Sequence, residues 1–296
     1  MEKNKITETS NYLTNEIDEM TIIEVLNIIN SEDATVPNII NQSISEIEKL
    51  IFDILPLFQK KGRLFYIGSG TSGRLGILDA VECPPTFRTN PEKIIGLIAG
   101  GDDAISKSIE GAEDNYKDGS VVVKKYDITK GDTLLGISAN GSTPFVLGAL
   151  KQAKINGALT GLITCNNIDR LDYIDHIISI IVGPEIITGS TRMKAGTATK
   201  LILNMISTTL MIKLNKTYGN LMVDLNASNK KLWARGIRIL VEVADIDSKT
   251  AHDVLVNANG EVKTAILMIK NGYEYKEATV ILDAANGRLK DALRIK

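Results

Sequence analysis

The chain has 296 residues, 44% hydrophobic and 24% charged, with 34 basic side chains against 36 acidic ones. A net charge of −2 supplies no basic field for nucleic acid or an anionic membrane, and no stretch reaches the roughly 18 apolar residues of a membrane span. This length fits one large α/β domain with an addition, or two domains, and the absence of a signal-peptide apolar core in residues 1–60 leads us to expect a cytoplasmic protein.

Residues 1–19 are polar and weakly patterned and read as an arm. Residues 21–30 read as a short helix with Ile22, Val25, Leu26 and Ile29 on one face. Pro37 suits the first turn of the next helix. From Ile40 through Ile44, Ile47, Ile51, Ile54 and Leu55 the apolar spacing predicts one long helix, which Pro56 should kink or end. Residues 64–67 read as a buried strand running into Gly68-Ser-Gly-Thr-Ser-Gly73, and residues 74–80 as a helix that Pro84-Pro85 should stop. A strand that enters a small-residue loop and a helix N-terminus is a ready anion site, because unpaired N–H groups and the positive end of the helix dipole both face the loop.

Residues 93–99 form a second predicted strand, and Asp102 is placed to cap a helix running through Ile105 and Ile109 to Glu113. Residues 133–138 form a third, which opens into Ser138-Ala-Asn-Gly-Ser-Thr143 before a helix started by Pro144 and running to Asn156. Residues 159–164 and 176–182 are the fourth and fifth. A loop containing Thr188-Gly-Ser-Thr-Arg-Met-Lys-Ala-Gly then leads into an apolar helix over 195–214. From Trp233 onward the pattern is helical only, over 231–244, 247–258, 262–270 and 274–285. The alternation predicts a doubly wound, mostly parallel α/β sheet in residues 61–230, preceded by an arm and helices in 1–60 and followed by a small helical domain in 231–296.

Cys83 and Cys165 read as free thiols, His176 as a strand residue and His252 as a helix residue without an obvious partner, so neither a metal nor a cofactor is expected. The glycines at 68, 70 and 73 do not make a dinucleotide fingerprint, and neither polar loop holds the lysine of a nucleoside-triphosphate site. Two hydroxyl-rich loops on adjacent strands favour a sugar phosphate. Ser69, Gly70, Thr71 and Ser72 on one, and Ser138, Asn140, Ser142 and Thr143 on the other, are the binding candidates; the third loop adds Ser190, Thr191, Arg192 and Lys194. Glu82, beside the rigid Cys83-Pro-Pro and in an apolar setting, and Glu113, within Glu110-Gly-Ala-Glu-Asp114, are the acid–base candidates.

Several of these runs resemble the N-acetylmuramic acid 6-phosphate etherase family of the sugar isomerase (SIS) fold. They are Ile67-Gly-Ser-Gly-Thr-Ser-Gly-Arg-Leu-Gly, Glu82-Cys-Pro-Pro-Thr-Phe, Gly96-Leu-Ile-Ala-Gly-Gly, Glu110-Gly-Ala-Glu-Asp, Gly183-Pro-Glu-Ile-Ile-Thr-Gly-Ser-Thr-Arg-Met-Lys-Ala-Gly-Thr and Tyr218-Gly-Asn-Leu-Met-Val-Asp, with a weaker match in Gly260-Glu-Val-Lys-Thr-Ala-Ile. The resemblance implies cleavage of the lactyl ether of a muramic acid 6-phosphate, with Glu82 protonating the departing lactate and Glu113 as a second catalytic carboxylate. It also implies a metal-free homodimer whose site draws on both subunits. The chain departs from the family at Ser10-Asn-Tyr-Leu-Thr14, where an Arg-Asn-Pro type segment is usual. A regulatory sugar-phosphate binder, similar to glucokinase regulatory protein, and an aldose–ketose phosphate isomerase remain alternatives; a DNA-binding regulator is disfavoured by the charge balance.

Helix geometry adds one expectation. Nine residues separate Gly73 from Glu82, about 13 Å along a straight helix. Either the phosphate rests on the 138–143 loop, or Glu82 serves the neighbouring subunit's site.

Overall fold

A computed structural model describes residues 5–295 of the chain. Two compact units are present: one runs to Glu82 and resumes from Asn90 to Ser207, the other holds Cys83–Thr89 and the chain from Thr208 onward. The composition had placed divisions at 60 and 230.

In the first unit the arm forms three 3-10 turns, Ile6–Glu8, Tyr12–Thr14 and Ile17–Glu19. It is not a loose tail, since Thr7, Asn11 and Thr14 are all buried. Helix α1 (Ile22–Asp33) opens on a capping box between Thr21 and Glu24. The expected long helix is two, α2 (Val36–Asn41) and α3 (Ile44–Gln59), broken at Gln42-Ser43. Pro56 does not end α3. The buried Ile54 and Phe58 on either side hold the helix to the core at the cost of one backbone bond.

The sheet follows: β1 (Leu64–Gly68), α4 (Gly70–Phe87), β2 (Ile94–Ile98), α5 (Asp103–Ser106), α6 (Tyr116–Lys125), β3 (Thr133–Ile137), α7 (Pro144–Ile155), β4 (Leu159–Thr164), β5 (His176–Ser179) and α8 (Lys194–Lys213). All five strands are parallel, in the order β2-β1-β3-β4-β5. Every residue of β1 and β3 is buried, as expected of central strands covered on both faces. The chain leaves β1 outward to β2 and returns to β3 on its other side. The carboxyl ends of β1 and β3 therefore flank the switch point where ligands of open α/β sheets bind.

Two expectations about helices are corrected here. Pro84 and Pro85 lie inside the final turn of α4, which continues to Phe87. Pro84 and Pro85 leave the carbonyls of Ala80 and Val81 without the N–H that a regular helix would supply. The helix expected from Asp102 to Glu113 stops at Ser106. Arg74 donates from Nε to the Ile105 carbonyl (3.0 Å) and from Nη2 to the Lys107 carbonyl (2.8 Å), taking acceptors that a continuing helix would use. Gly111, at φ 72°, then turns the chain into the 3-10 turn Ala112–Asp114 that carries Glu113.

The second unit contains a two-residue-strand hairpin, β6 (Thr217–Tyr218) with β7 (Leu221–Met222). Five helices follow: α9 (Lys230–Ala244), α10 (Ser248–Asn257), α11 (Val262–Asn271), α12 (Tyr275–Ala284) and α13 (Leu289–Ala292). Asn229 and Asp247 cap α9 and α10 with their side chains, and Leu225, Leu240, Leu255, Ile266 and Leu282 share one core. The Gly260-Glu-Val-Lys-Thr-Ala-Ile run is part of this packing: a Cβ at Gly260 would stand 2.7 Å from Asn226 Oδ1, and Lys263 Nζ donates to the Gly287 carbonyl at 2.9 Å. Among the described residues no helix is long and apolar enough to cross a membrane.

Candidate active site

The first loop is tighter than its sequence implied. Only Gly68 and Ser69 lie outside regular structure or at its edge, because α4 begins at Gly70. A Cβ on Gly68 would meet Gly73 N at 2.6 Å, and one on Gly73 would meet Gly68 O at 2.8 Å and Ile98 Cγ1 at 2.6 Å. These glycines let strand and helix backbones close on each other, whereas Gly70, at φ 50°, faces open space. Thr71 and Ser72 are half-buried in the first turn of α4. Among the described residues, Ser69 Oγ is buried and has no hydrogen-bond partner, so its hydroxyl is left unsatisfied.

The second loop, beyond β3, is bonded to itself. Ser138 Oγ lies 2.8 Å from Thr143 Oγ1, donates to Asn140 Oδ1 at 2.9 Å and accepts the Gly141 N–H at 3.1 Å. Asn140 Oδ1 also accepts from the Ser142 N–H at 2.9 Å. Gly141, at φ 73°, admits no side chain, since a Cβ would stand 2.5 Å from Ile168 Cγ2. Thr143 precedes α7 without capping it through its side chain, so the N-terminal donors of α7 remain open to an anion.

The third loop differs. Glu185 is fully buried and accepts the backbone N–H groups of Lys194 and Ala195, both at 2.9 Å. Its carboxylate thus fills the N-terminus of α8, where a phosphate would otherwise be welcome. Lys194 is 3% exposed, and its Nζ lies 2.5 Å from Glu32 Oε2. Ser190 and Thr191 are half-buried and Arg192 is exposed. A Cβ at Gly196 would meet Thr71 Cγ2 at 3.6 Å, so this helix start adjoins the first loop.

Glu82 is exposed on α4, next to Val81 and one turn from Leu78, themselves 57% and 50% exposed. Its apolar neighbours are there as expected, but they do not bury it. Below it, Asp79 is held at 2.8 Å by Asn204 Nδ2, at 3.0 Å by Tyr66 OH and at 3.1 Å by Ser207 Oγ. Burial raises the Asp79 carboxyl above its ordinary range, and these donors pull it back. Glu113 is exposed on its 3-10 turn, which packs on α7.

The N-terminal SIS-domain model of glucokinase regulatory protein matches residues 46–154. Three relatives named N-acetylmuramic acid 6-phosphate etherase align over nearly the whole chain. The one from Geobacillus sp. (strain WCH70) is 48% identical over 97% of this chain and 98% of its own. The Exiguobacterium sp. relative is 47% identical over 97% and 98%, and that of Caldanaerobacter subterraneus subsp. tengcongensis 48% identical over 98% and 95%. The chain belongs to the N-acetylmuramic acid 6-phosphate etherase family.

Within this etherase-family chain, three positions that shape the loops escaped the sequence reading. Glu185 lies between the quoted glycines and reads as one acid among many; only its bonds reveal that it occupies a helix end. Asn166 and the arm are the others. Asn166 Nδ2 donates to Thr7 Oγ1 (2.9 Å) and to the Ala139 carbonyl of the second loop (3.0 Å), while Thr14 Oγ1 donates to the Ile186 carbonyl (2.8 Å). At the departure from the family pattern, Ser10 is exposed and bonds Asn15. Cys83 and Cys165 are buried and joined in no disulfide, and burial pushes the Cys165 thiol up to about 12 with help from the Glu185 charge. His176 is a strand residue 2.9 Å from Asp53, and His252 has neighbours after all, Asp253 and the Trp233 ring. Among the described residues no group of three His, Cys, Asp or Glu side chains is placed to hold a metal ion.

Proposed function

We infer that the chain is a carbon–oxygen lyase that cleaves the D-lactyl ether of N-acetylmuramic acid 6-phosphate, giving N-acetylglucosamine 6-phosphate and D-lactate in the catabolism of cell-wall amino sugars. The near-full-length identity to etherases carries the reading. An ether at carbon 3 resists direct hydrolysis, but the open-chain aldehyde acidifies the hydrogen on carbon 2. A base takes that proton, the electron pair forms the carbon 2–carbon 3 double bond, and lactate leaves as an acid protonates its oxygen. Water then adds across the double bond and replaces the ether with a hydroxyl. Two positioned carboxyls suffice for these transfers, each worth about 10²- to 10⁴-fold.

Glu82 is the acid for lactate and Glu113 the second carboxylate. The phosphate rests on the 138–143 loop and the open start of α7, with Ser69, Gly70, Thr71 and Ser72 lining the sugar on the adjacent strand and Ser190, Thr191, Arg192 and Lys194 at the third loop. The filled start of α8 and the Glu32 partner of Lys194 support the second loop over the third as the phosphate seat. A homodimer with shared sites accounts for one further feature, the exposed Ile22, Ile23 and Leu26 of α1 and Leu78 and Val81 of α4. The enzyme acts in the cytoplasm, without a metal.

Incubation with N-acetylmuramic acid 6-phosphate is expected to release D-lactate, and Glu82→Gln to lower kcat at least 10²-fold with folding retained. The match to the glucokinase regulatory protein domain favours a second reading, a non-catalytic sugar-phosphate binder. Binding of the sugar phosphate without lactate release would select it.

A further inference from the structure

A dianionic phosphate on the second loop needs a counter-charge, and the loop itself holds none: its side chains from Ser138 to Thr143 are all neutral. The third loop's cations are committed elsewhere, Lys194 to Glu32, with Arg192 turned to solvent. One ammonium does reach the loop. Lys5, which the sequence placed in an unpatterned arm, donates from Nζ to Ser142 Oγ. Among the described residues it forms no ion pair.

This placement is held by the fold on both sides. Two residues after Lys5, Thr7 is fully buried and its hydroxyl accepts from Asn166 Nδ2, which at the same time donates to the Ala139 carbonyl of the second loop. The Asn166 side chain therefore ties arm and loop to one anchor. Glu8 lies against Gly189 of the third loop, where an added Cβ would stand 3.1 Å from Glu8 Oε2. Thr14 is bonded to the Ile186 carbonyl, and Asn11 Nδ2 donates at 2.9 Å to Glu32, the partner of Lys194. The arm is fixed to both loops by neutral or internal contacts, and Lys5 is the cation it delivers.

We propose that Lys5 is a substrate-binding residue that supplies the positive charge for the substrate's phosphate at the 138–143 loop, and that the arm thereby selects phosphorylated over unphosphorylated sugars. The proposal rests on the seating of the phosphate on this loop. A lysine suits the task as a flexible point charge on a solvent-reachable anion, and its contact with phosphate is stronger than one between neutral groups.

The test compares Lys5→Met, which keeps the aliphatic stem, with Lys5→Arg and with Ser138→Ala, each as the full chain. For Lys5→Met the KM for the sugar 6-phosphate is expected to rise about tenfold or more with kcat changed by less than about twofold, as uniform binding is lost. Inhibition by inorganic phosphate should weaken in parallel, and the salt dependence of KM should flatten. Lys5→Arg should restore most of the affinity, which a merely structural role for the stem would not require. A raised KM in Ser138→Ala with wild-type KM and phosphate inhibition in Lys5→Met overturns the role of Lys5 while leaving the loop as the phosphate seat. Wild-type KM in both variants removes the phosphate from this loop, and the proposal with it.

Discussion

Asp132 accepts hydrogen bonds from Arg63 N (2.9 Å), Nε (3.1 Å) and Nη2 (2.8 Å) and from Thr129 N (3.0 Å), binding the entries of β1 and β3 at the sheet end away from the loops. Burial alone would raise its carboxyl, but the guanidinium and the two N–H donors outweigh it and hold the group below the usual carboxylate range. A depressed folded-state pKa adds stability above the unfolded value, near pH 4, and that contribution is lost as pH falls through the folded value. Arg63 keeps 30% of its side chain in water, so screening reduces the effect. Asp132→Asn is expected to cost about 1–2 kcal/mol at pH 7. Urea titrations at several pH values should show the gap closing below about pH 4, with KM unchanged at neutral pH. A gap that widens in acid contradicts the assignment.

At the scale of elements, α6 and α7 are set against each other by two glycines. A Cβ on Gly119 would stand 2.0 Å from the Phe145 carbonyl oxygen, and one on Gly148 the same distance from that of Tyr116. Neither oxygen can yield without moving its helix. Tyr116 opens α6 just after the turn that carries Glu113, so a methyl at 148 pushes that turn away from α7. Gly148→Ala is expected to cost about 1–3 kcal/mol through overpacking and to lower kcat by displacing Glu113. Gly131→Ala, where an added Cβ meets nothing within 4 Å, serves as the control and should leave both unchanged. Thermal melts and turnover measured together decide it; intact kcat in a destabilised Gly148→Ala separates Glu113 from this packing.

The same elements show what was legible in the sequence. The strands stood out because central parallel strands are apolar on both faces, and α9 to α12 fell within one residue of expectation because caps such as Asn229 and Asp247 mark their starts, whereas the four-residue α13 was not foreseen. Helix α6 gave no such signal: it buries little beyond Gly119 and Val123, and its Val121 is 59% exposed. The docking of the arm was hidden for a related reason. It is held by buried polar side chains, Thr7, Asn11 and Thr14, whose partners lie up to 172 residues away, and local periodicity carries no record of such bonds. The hydroxyl-rich loops could be read as an anion site, but which helix start was open and which was filled depended on Glu185, a contact between loop and helix that composition does not encode.

At the scale of the whole molecule, the separation of functions along α4 becomes a question of how many chains make one site. The helix runs unbroken from Gly70 to Phe87, so the cradle at its start and Glu82 near its end stay about 13 Å apart. With the phosphate on the 138–143 loop and the sugar against the start of α4, that span is what Glu82 of the same chain would have to bridge to reach carbon 3. If each site takes its phosphate loop from one subunit and Glu82 from the other, two inactive variants damaged at opposite ends can repair each other. Glu82→Gln and a Ser138→Ala/Thr143→Ala double variant, mixed in equal amounts and allowed to exchange subunits, would form mixed dimers carrying one fully mutated and one intact site. Random exchange makes half of the dimers mixed, so recovered activity is expected to approach about a quarter of wild type. Lactate release that rises on mixing toward this value, and falls on dilution below the dimer's dissociation constant, supports shared sites. Activity that stays at the sum of the two variants after verified exchange assigns Glu82 and the phosphate loop to a single chain, and requires the phosphate to sit far enough from Gly73 for Glu82 to reach carbon 3 unaided.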